Sequence, residues 1–430
     1  MEKLMEIARK AADRVEVYSR DTRSDDVSFE NAKLKDIGSS ISSGIGLTLI
    51  KDGKLGTAYT RNLTDREGLV ENALTAMKGG VEADYAMAGK AELPKLDGYD
   101  ESIEKLSNTK MTEEVERVCE TLSGRATGQV NAGVERSVTT VRVLTSEGAD
   151  FSARTSGYQC YFAVMYPGSY SSIARLVAGK GFVPASDEDL SYVVDTYNAS
   201  LKEVTPETGR TRVLFLPETV YGLAWRVMLG TRGKEVYENV SPLKDKVGKK
   251  IAGEQFSLVD EPLNDVWPGA RAFDDEGTPC RDTPVVENGV LKGFYYDRYY
   301  ARKAGVEPTG HGWRQDVTTR TGPSLHHMAI KPGEDTLKDL LGKMDRGVVA
   351  AGLLGAHSGN LLHGDFSMGL APALWVEKGE VVGHVKDAMV AGNVYEDLNN
   401  VVAVGSRQRL YYMGRFPALL LDGVSFATKG

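Results

Sequence analysis

Tight turns between stretches of alternating apolar residues constrain this chain more than any other sequence feature. Residues 44–50 and 55–60 flank Asp52-Gly53, a pair that readily adopts the positive φ angles of a two-residue hairpin turn. Residues 287–290 and 377–380 predict two further hairpins. Strands joined in this way run antiparallel, and helical stretches are scattered between them. The pattern therefore predicts an α+β protein with mainly antiparallel or mixed sheets.

Two breaks in the apolar pattern divide the chain into three regions. The first break is a long polar stretch at residues 84–110, and the second is Pro206-Glu207-Thr208-Gly209. The N-terminal α/β part therefore contains two subdomains, and a β-rich domain with scattered helices follows. The predicted boundaries are 1–95 for the N-terminal subdomain, 108–205 for the central subdomain and 208–430 for the C-terminal domain.

Helix signals occur between the predicted strands. Thr64-x-x-Glu67 predicts a capping box at the start of a helix that stops at Gly79-Gly80. Pro217 occupies the first-turn position of a helix that runs to about Leu229. Residues 387–400 are also expected to form a helix.

Composition excludes several classes of protein. The net charge is −8 at pH 7, which argues against a protein that holds a nucleic-acid backbone. No apolar stretch approaches the length of a membrane-spanning helix, and charges interrupt the first ten residues, so we expect neither a membrane partner nor a signal peptide. The three cysteines are far apart and lack zinc-ligand spacing. We expect a cytoplasmic protein.

All six histidines lie after residue 310, which raises the question of a metal site. A helical zinc site places two histidines four or five positions apart with a glutamate beside the first. No pair here has that spacing: His357 and His363 are six apart in a glycine-rich segment. His326 and His327 are adjacent and would point to opposite faces of a strand. We predict no metal-binding residue in this chain.

Residues 355–369 are the segment richest in groups that contact ligands. One interpretation is a loop that brings polar groups against a bound peptide, because glycine lets another backbone approach closely. A second makes Ser358 or Ser367 a nucleophile with a histidine base, although neither lies in a Gly-x-Ser-x-Gly elbow. A third is a set of tight turns. We predict no catalytic residue; the candidate substrate-binding residues are His357, Asn360, His363, Asp365 and Ser367.

Two other segments carry charged groups at high density. Asp274-Asp275-Glu276 could hold a divalent cation through oxygen ligands, but adjacent carboxylates before a glycine are more typical of a solvated turn, which is the interpretation favoured here. Residues 310–314 could present Trp313 and Arg314 to a ligand or form a flexible loop between domains.

The order of these segments resembles the TldD/PmbA family over nearly the whole chain. The acidic turn followed by a hairpin resembles the opening of the family's last domain, and the later segments resemble its helix, glycine-rich loop and closing core. The segments that carry the resemblance are 273–278, 286–293, 330–333, 337–347, 364–367, 375–380 and 391–393.

The resemblance also implies where a zinc site would lie. TldD-type subunits resemble zinc peptidases, with a His-Glu-x-x-x-His helix soon after the strand that opens the last domain and a cysteine in the region of the glycine-rich loop. The corresponding helix here, residues 217–228, has no histidine, and the loop has no cysteine. No zinc ligand carries over, so the chain is identified as a PmbA or TldE-like member. His363 departs from the family pattern, in which a smaller polar residue is expected.

Without zinc, nothing in this chain would activate water or polarise a peptide carbonyl. The resemblance implies pairing with a zinc-bearing TldD-like subunit in the proteolysis of unfolded peptides, with an extended peptide held by backbone pairing at a sheet edge. Two alternatives stay open. One is a self-sufficient metal-dependent hydrolase that uses His357, His363 and Asp365. The other is a homo-oligomeric peptide-binding regulatory protein, for instance a homodimer, since family members are described as modulators of DNA gyrase.

Overall fold

Six long antiparallel strands form one N-terminal sheet. The computed structural model describes residues 1–412 and 414–429. The strands follow the spatial order β3-β2-β1-β4-β5-β6, so β1 lies in the middle, between β2 and β4. The two regions predicted over 1–95 and 108–205 thus contribute strands to the same sheet. The strands are β1 (Arg14–Glu30), β2 (Lys33–Lys51), β3 (Lys54–Thr60), β4 (Gln129–Thr145), β5 (Asp150–Met165) and β6 (Ser172–Gly179).

The helices cover one face of the N-terminal sheet and punctuate the C-terminal part. Alternate residues of β1, among them Val15, Val17 and Val27, pack under helices α1, α2 and α4 because successive strand residues point to opposite faces. The helices are α1 (Glu2–Ala11), α2 (Arg66–Ala76), α3 (Ser102–Lys105), α4 (Asn108–Ser123), α5 (Asp187–Ala199), α6 (Pro217–Gly230), α7 (Gly233–Tyr237), α8 (Arg298–Ala304), α9 (Leu337–Met344) and α10 (Val394–Asp397), with 3₁₀ turns at Met77–Gly79 and Leu398–Asn400.

The C-terminal domain contains a nine-stranded mixed sheet, a smaller six-stranded sheet and a two-stranded ribbon. In the large sheet β7 pairs in parallel with β14 and antiparallel with β23. This mixture of sheets and helices confirms the α+β prediction. The strands are β7 (Gly209–Phe215), β8 (Leu258–Asp260), β9 (Thr283–Glu287), β10 (Val290–Leu291), β11 (Gly312–Trp313), β12 (Gly322–Pro323), β13 (Met328–Ile330), β14 (Gly347–Ala350), β15 (Leu353–Leu354), β16 (Asp365–Leu370), β17 (Ala373–Glu377), β18 (Glu380–Val385), β19 (Met389–Asn393), β20 (Val401–Val404), β21 (Arg409–Tyr411), β22 (Gly414–Phe416) and β23 (Leu419–Ala427).

The tight-turn predictions are confirmed, whereas one of the helix predictions is wrong. Asp52 and Gly53 have φ angles of 50° and 71°, and they join β2 to β3 as expected. Residues 387–400 do not form one helix: β19 comes first, paired with β16 and β23, and α10 follows. Pairing with neighbours on both sides outweighs the local helix propensity.

The first turn of α2 is capped by a different residue from the one predicted. Asp65, not Thr64, is the N-cap, and its carboxylate accepts a hydrogen bond of 2.8 Å from the backbone N–H of Gly68. The helix ends close to the predicted point, with Gly80 in the left-handed conformation at φ 75°.

The acidic turn at residues 274–276 is buried, which contradicts the solvated turn expected from its sequence. Asp274 accepts backbone hydrogen bonds from Glu276, Thr278 and Gly312 at 2.8 to 3.0 Å. The Asp274 side chain is only 1% exposed. The charged turn therefore belongs to the junction between the N-terminal sheet and the C-terminal domain, where Phe273 packs against Tyr18 and Val143.

Arg314 joins the two parts of the molecule at that junction. Its Nη2 lies 2.7 Å from Glu16 Oε1, on β1, and 3.1 Å from the carbonyl oxygen of Asp275. Both side chains of the Arg314–Glu16 pair are 4% exposed. Residues 310–313 are likewise buried, so this segment is part of the junction rather than a flexible loop. Within the described residues, no helix is long and apolar enough to cross a membrane.

Candidate functional site

The glycine-rich loop connects β15 to β16 and lies against α6. The resemblance implies that this helix and the region of this loop both contribute to the zinc site of TldD-type subunits. The turn at residues 355–358 is closed by the Ser358 N–H, which donates to the Gly355 carbonyl at 2.7 Å. At Gly364 (φ 88°) a Cβ atom would come within 2.7 Å of the Tyr395 ring, so the close approach requires glycine.

The side chain of Arg226, on α6, holds the loop in place through hydrogen bonds to the backbone of the loop. This side chain is fully buried. Nε donates to the Asp365 carbonyl at 2.8 Å, Nη2 to the Ser358 carbonyl at 2.7 Å and Nη1 to the Ala356 carbonyl at 3.0 Å. Nη1 also donates to Gly222 on the same helix. Burial lowers the pKa of Arg226 to about 10, so the guanidinium remains charged at neutral pH.

Three of the five candidate binding residues lie together at the end of the loop. The Asn360 side-chain oxygen accepts from the His363 N–H at 3.2 Å, and the Asn360 carbonyl accepts from the Asp365 N–H at 3.0 Å. Asn393 Nδ2 donates to the His363 carbonyl at 2.9 Å and to Asp365 Oδ1 at 2.8 Å. The group is exposed, and its hydrogen bonds are those of a turn scaffold.

The other two candidates are not drawn into this group by hydrogen bonds. His357 is exposed in the turn before the loop, and Ser367 is exposed on β16 opposite Ala391 of β19. All five candidates reach solvent, so they are placed to contact a ligand at the surface. Their role in binding stays a prediction.

The space between α6 and the loop does not fit a zinc ion. The side chain that fills it is the Arg226 cation, which would repel a metal ion and offers only N–H donors. Across residues 1–412 and 414–429, no group of three His, Cys, Asp or Glu side chains is arranged to hold a metal ion.

Three other histidines meet at a buried aspartate. Asp260 accepts backbone hydrogen bonds from His326 at 3.0 Å and His327 at 2.7 Å, and its Oδ2 lies 3.3 Å from His311 Nε2. The rings of His326 and His327 stack with centroids 4.8 Å apart, so the prediction that they face opposite ways is wrong. The two residues precede β13, and the shared carboxylate draws both N–H groups to one side.

His326 and His327 are partly buried, and their surroundings disfavour protonation. Burial and the neighbouring Arg271 lower the pKa of His326 to about 4, and burial with the charge of His326 lowers that of His327 to about 3. Both rings are neutral at physiological pH, and His326 stacks on Trp313 with centroids 3.8 Å apart. The cluster therefore serves to pack the junction.

Sequence reasoning missed Arg226, Asn393 and Tyr395. The Tyr395 hydroxyl donates to the Arg226 carbonyl at 3.1 Å, which links α10 to α6 behind the loop. One signal was available for Arg226: a single arginine on an otherwise apolar helix, four positions after Gly222. Such a residue requires buried acceptors. Asn393 and Tyr395 lay inside the stretch wrongly predicted as one long helix.

Asp397 behind the loop makes the stability of this region depend on pH. The side chain is 6% exposed, its Oδ2 has no hydrogen-bond partner among the described residues, and burial raises its pKa to about 6. The folded-state pKa exceeds the unfolded one, so ionisation disfavours folding. The destabilisation by the ionised Asp397 carboxylate is absent below the pKa that this group has in the unfolded chain, and it is complete above about pH 6.

We therefore expect Asp397→Asn to stabilise the protein at neutral or alkaline pH. The free energy of unfolding in urea should rise by about 1 kcal/mol near pH 8 and change little near pH 4. The exposed Asp245→Asn serves as control and should show no such difference. An equal effect of Asp397→Asn at both pH values would contradict the assignment.

Two family models match this chain. The model of the PmbA/TldA metallopeptidase C-terminal domain matches residues 208–428, just over half of the chain, and that of PmbA/TldA metallopeptidase domain 1 matches residues 15–79. A metalloprotease from Methanothermobacter thermautotrophicus is 27% identical over 419 residues, covering 93% of this chain and 90% of the relative.

Two solved structures have the same fold over almost the entire chain. A putative modulator of DNA gyrase from Thermotoga maritima is 26% identical with a TM-score of 0.88, and the match covers 99% of each chain. TldE from Thermococcus kodakarensis is 24% identical with a TM-score of 0.91 and the same coverage, a likeness that shows the fold alone. From the matching domains, the order of its elements and its relatives, this chain belongs to the TldD/PmbA family.

Proposed function

We propose that this chain is a PmbA/TldE-like, non-zinc subunit of a TldD/TldE-type metallopeptidase complex that acts on unfolded peptides and proteins. The observation that carries the proposal is Arg226. Its guanidinium binds three carbonyls of the glycine-rich loop and fills the space in which a zinc-bearing relative is expected to hold its metal. Zinc is therefore expected in the partner subunit, and the complex in the cytoplasm.

The edge of β2 supports the idea that the chain helps to hold an extended peptide. Strand β3 covers β2 only from Ile45 to Lys51. Among the described residues no strand pairs with the outer edge of 33–43, and Ile37 and Ile41 are exposed there. A free edge can add a peptide strand through backbone hydrogen bonds, which tolerate many sequences.

The proposal is tested by mixing the purified chain with a relative that carries His-Glu-x-x-x-His. We expect a complex that degrades unfolded peptide, whereas this chain alone is inactive and contains no zinc by elemental analysis. Arg226→Lys, which keeps the charge, is expected to assemble. A chain that stays alone at micromolar concentrations with every zinc-bearing relative of its own organism would count against the proposal.

The same samples distinguish the two alternatives. Stoichiometric zinc that is lost in His363→Ala would favour the self-sufficient hydrolase. In this structure Asn393 donates hydrogen bonds to the His363 carbonyl and to Asp365 Oδ1. These contacts are those of a turn and not of a group of metal ligands. A homodimer that keeps its cellular function in a host lacking zinc-bearing relatives would favour the regulatory protein.

A further inference from the structure

A cavity of about 710 Å³ opens beside the hairpin formed by β11 and β12, away from the glycine-rich loop. Side chains from α7, α8 and the hairpin line it. Four of them are cationic, and three aromatic rings stand between them. The residues used below are Arg232, Lys234, Tyr299, Trp313, Arg314 and Arg320.

Two of the four cations in this cavity are paired with carboxylates, and among the described residues two are not. Arg314 is paired with Glu16, and Arg232 with Glu235 at 3.1 Å. Within the described part of the chain, neither Lys234 nor Arg320 has a carboxylate within ion-pair distance; Arg320 instead lies over the Tyr299 ring at 5.0 Å. These two cations are free to meet an anionic ligand.

The single carboxyl group among the described lining residues does little to offset them. Asp297 is 1% exposed and caps α8 by accepting from the Tyr300 N–H at 2.8 Å. Burial and the charge of Glu276 raise the pKa of Asp297, which favours its neutral form. The whole chain carries a charge of −8, so the two unpaired cations of this cavity are opposite in sign to the net charge of the protein.

The shape of the cavity favours an elongated ligand over a single small ion. A second cavity of about 300 Å³ adjoins it and shares Trp313, Arg314 and His326. The second cavity extends onto the face of the N-terminal sheet at Ser137 and Thr139, and the Thr139 hydroxyl is hydrogen-bonded to that of Thr22 at 3.0 Å. We call the two cavities together the groove; cations and aromatic rings line both of them, and Asp275 also lines the second.

We propose that this groove binds an acidic stretch of an extended polypeptide, with glutamate or aspartate side chains at Lys234 and Arg320. Cations without a carboxylate partner form charge-assisted hydrogen bonds with such side chains. The inference goes beyond the proposed pairing with a zinc-bearing subunit and does not depend on it. It would give the chain a preference for acidic segments, which backbone pairing at a sheet edge cannot supply.

The test measures binding of dye-labelled peptides to the full-length chain by fluorescence anisotropy. The probes are a short glutamate-rich peptide that contains leucine and the same peptide with every glutamate replaced by glutamine. We expect the acidic peptide to bind about tenfold more tightly, and this advantage to shrink as salt is added. Equal binding of the two peptides would overturn the proposal.

Paired variants locate the site. Lys234→Gln combined with Arg320→Gln should weaken binding of the acidic peptide about tenfold. The control combines Arg281→Gln with Lys331→Gln, two exposed cations away from the groove, and should leave the affinity unchanged. An equal loss of affinity in both double variants would mean that the peptide responds only to the net charge of the protein, which would contradict the assigned site. Unchanged thermal unfolding midpoints would show that both variants fold.

Pyrophosphate serves as the probe for a small-anion site. If pyrophosphate displaces the labelled acidic peptide at concentrations similar to those needed with the unlabelled peptide, the groove holds a compact anion and the peptide proposal is wrong. Weak displacement at much higher concentrations supports the proposal. None of these measurements needs the zinc-bearing subunit, so their failure would leave the proposed function standing.

Discussion

Replacement of Arg226 by methionine should lower the free energy of unfolding by about 3 kcal/mol, because the carbonyl groups of Ala356, Ser358 and Asp365 lose their donors together. Methionine fills much of the same volume, so the loss reports hydrogen bonding rather than an empty cavity. The free energy of unfolding of Arg226→Lys should lie between those of the unchanged protein and of Arg226→Met, since one ammonium group cannot reach all the carbonyls that the planar guanidinium spans. Urea unfolding monitored by circular dichroism measures the change.

An exposed arginine provides the control for Arg226. Arg210 on β7 also donates to one backbone carbonyl, that of Gly423, at 2.7 Å, but it is open to solvent. Arg210→Met is expected to cost less than about 1 kcal/mol because water replaces the donor. Hydrogen exchange should become faster at residues 355–365 in Arg226→Met only. Unchanged exchange in this loop would contradict the role assigned to Arg226.

The second large effect is expected at the junction, where Arg314→Met should cost about 3–5 kcal/mol because Glu16 remains buried without its partner. Burial raises the pKa of Glu16 already in the native protein. Its folded pKa therefore lies above the unfolded one, and an unpaired carboxylate destabilises the fold most at high pH. The deficit of Arg314→Met should shrink as the pH is lowered towards the unfolded pKa, where Glu16 binds a proton.

The same junction offers an exposed ion pair for comparison. Arg61 and Asp316 lie 3.2 Å apart between the same two parts of the molecule, with side chains 54% and 40% exposed. Arg61→Met should cost less than about 1 kcal/mol. In urea unfolding, Arg314→Met combined with Glu16→Gln should lose less than the sum of the single changes, since the double variant no longer buries an unpaired charge. Equal costs for Arg314→Met and Arg61→Met would refute this account.

The elements that could be predicted from the sequence are those whose causes are local. The turn at Asp52-Gly53 depends on two residues that adopt positive φ angles, and the start of α6 depends on Pro217 at its first position. These signals lie within a few residues of the structure they determine.

The elements that could not be predicted depend on partners far along the chain. The acidic turn is buried because the N–H of Gly312 and the side chain of Arg271 meet its carboxylates, and neither is visible in residues 273–278. Arg226 binds backbone carbonyls, which every residue has, so no pattern of side chains in the loop indicates its presence. The cavity beside Arg320 combines residues from four distant segments.

The position of β1 in the middle of the N-terminal sheet has a consequence for synthesis of the chain. Strands β2 and β3 follow β1 at once and can pair as they leave the ribosome, but β4 is made only after residues 61–128. At translation rates of 5–20 residues per second, the half-built sheet waits roughly 3 to 14 seconds for the start of its fourth strand. During that interval a row of N–H and C=O groups on β1 is open to pairing with nascent neighbours on the same polysome.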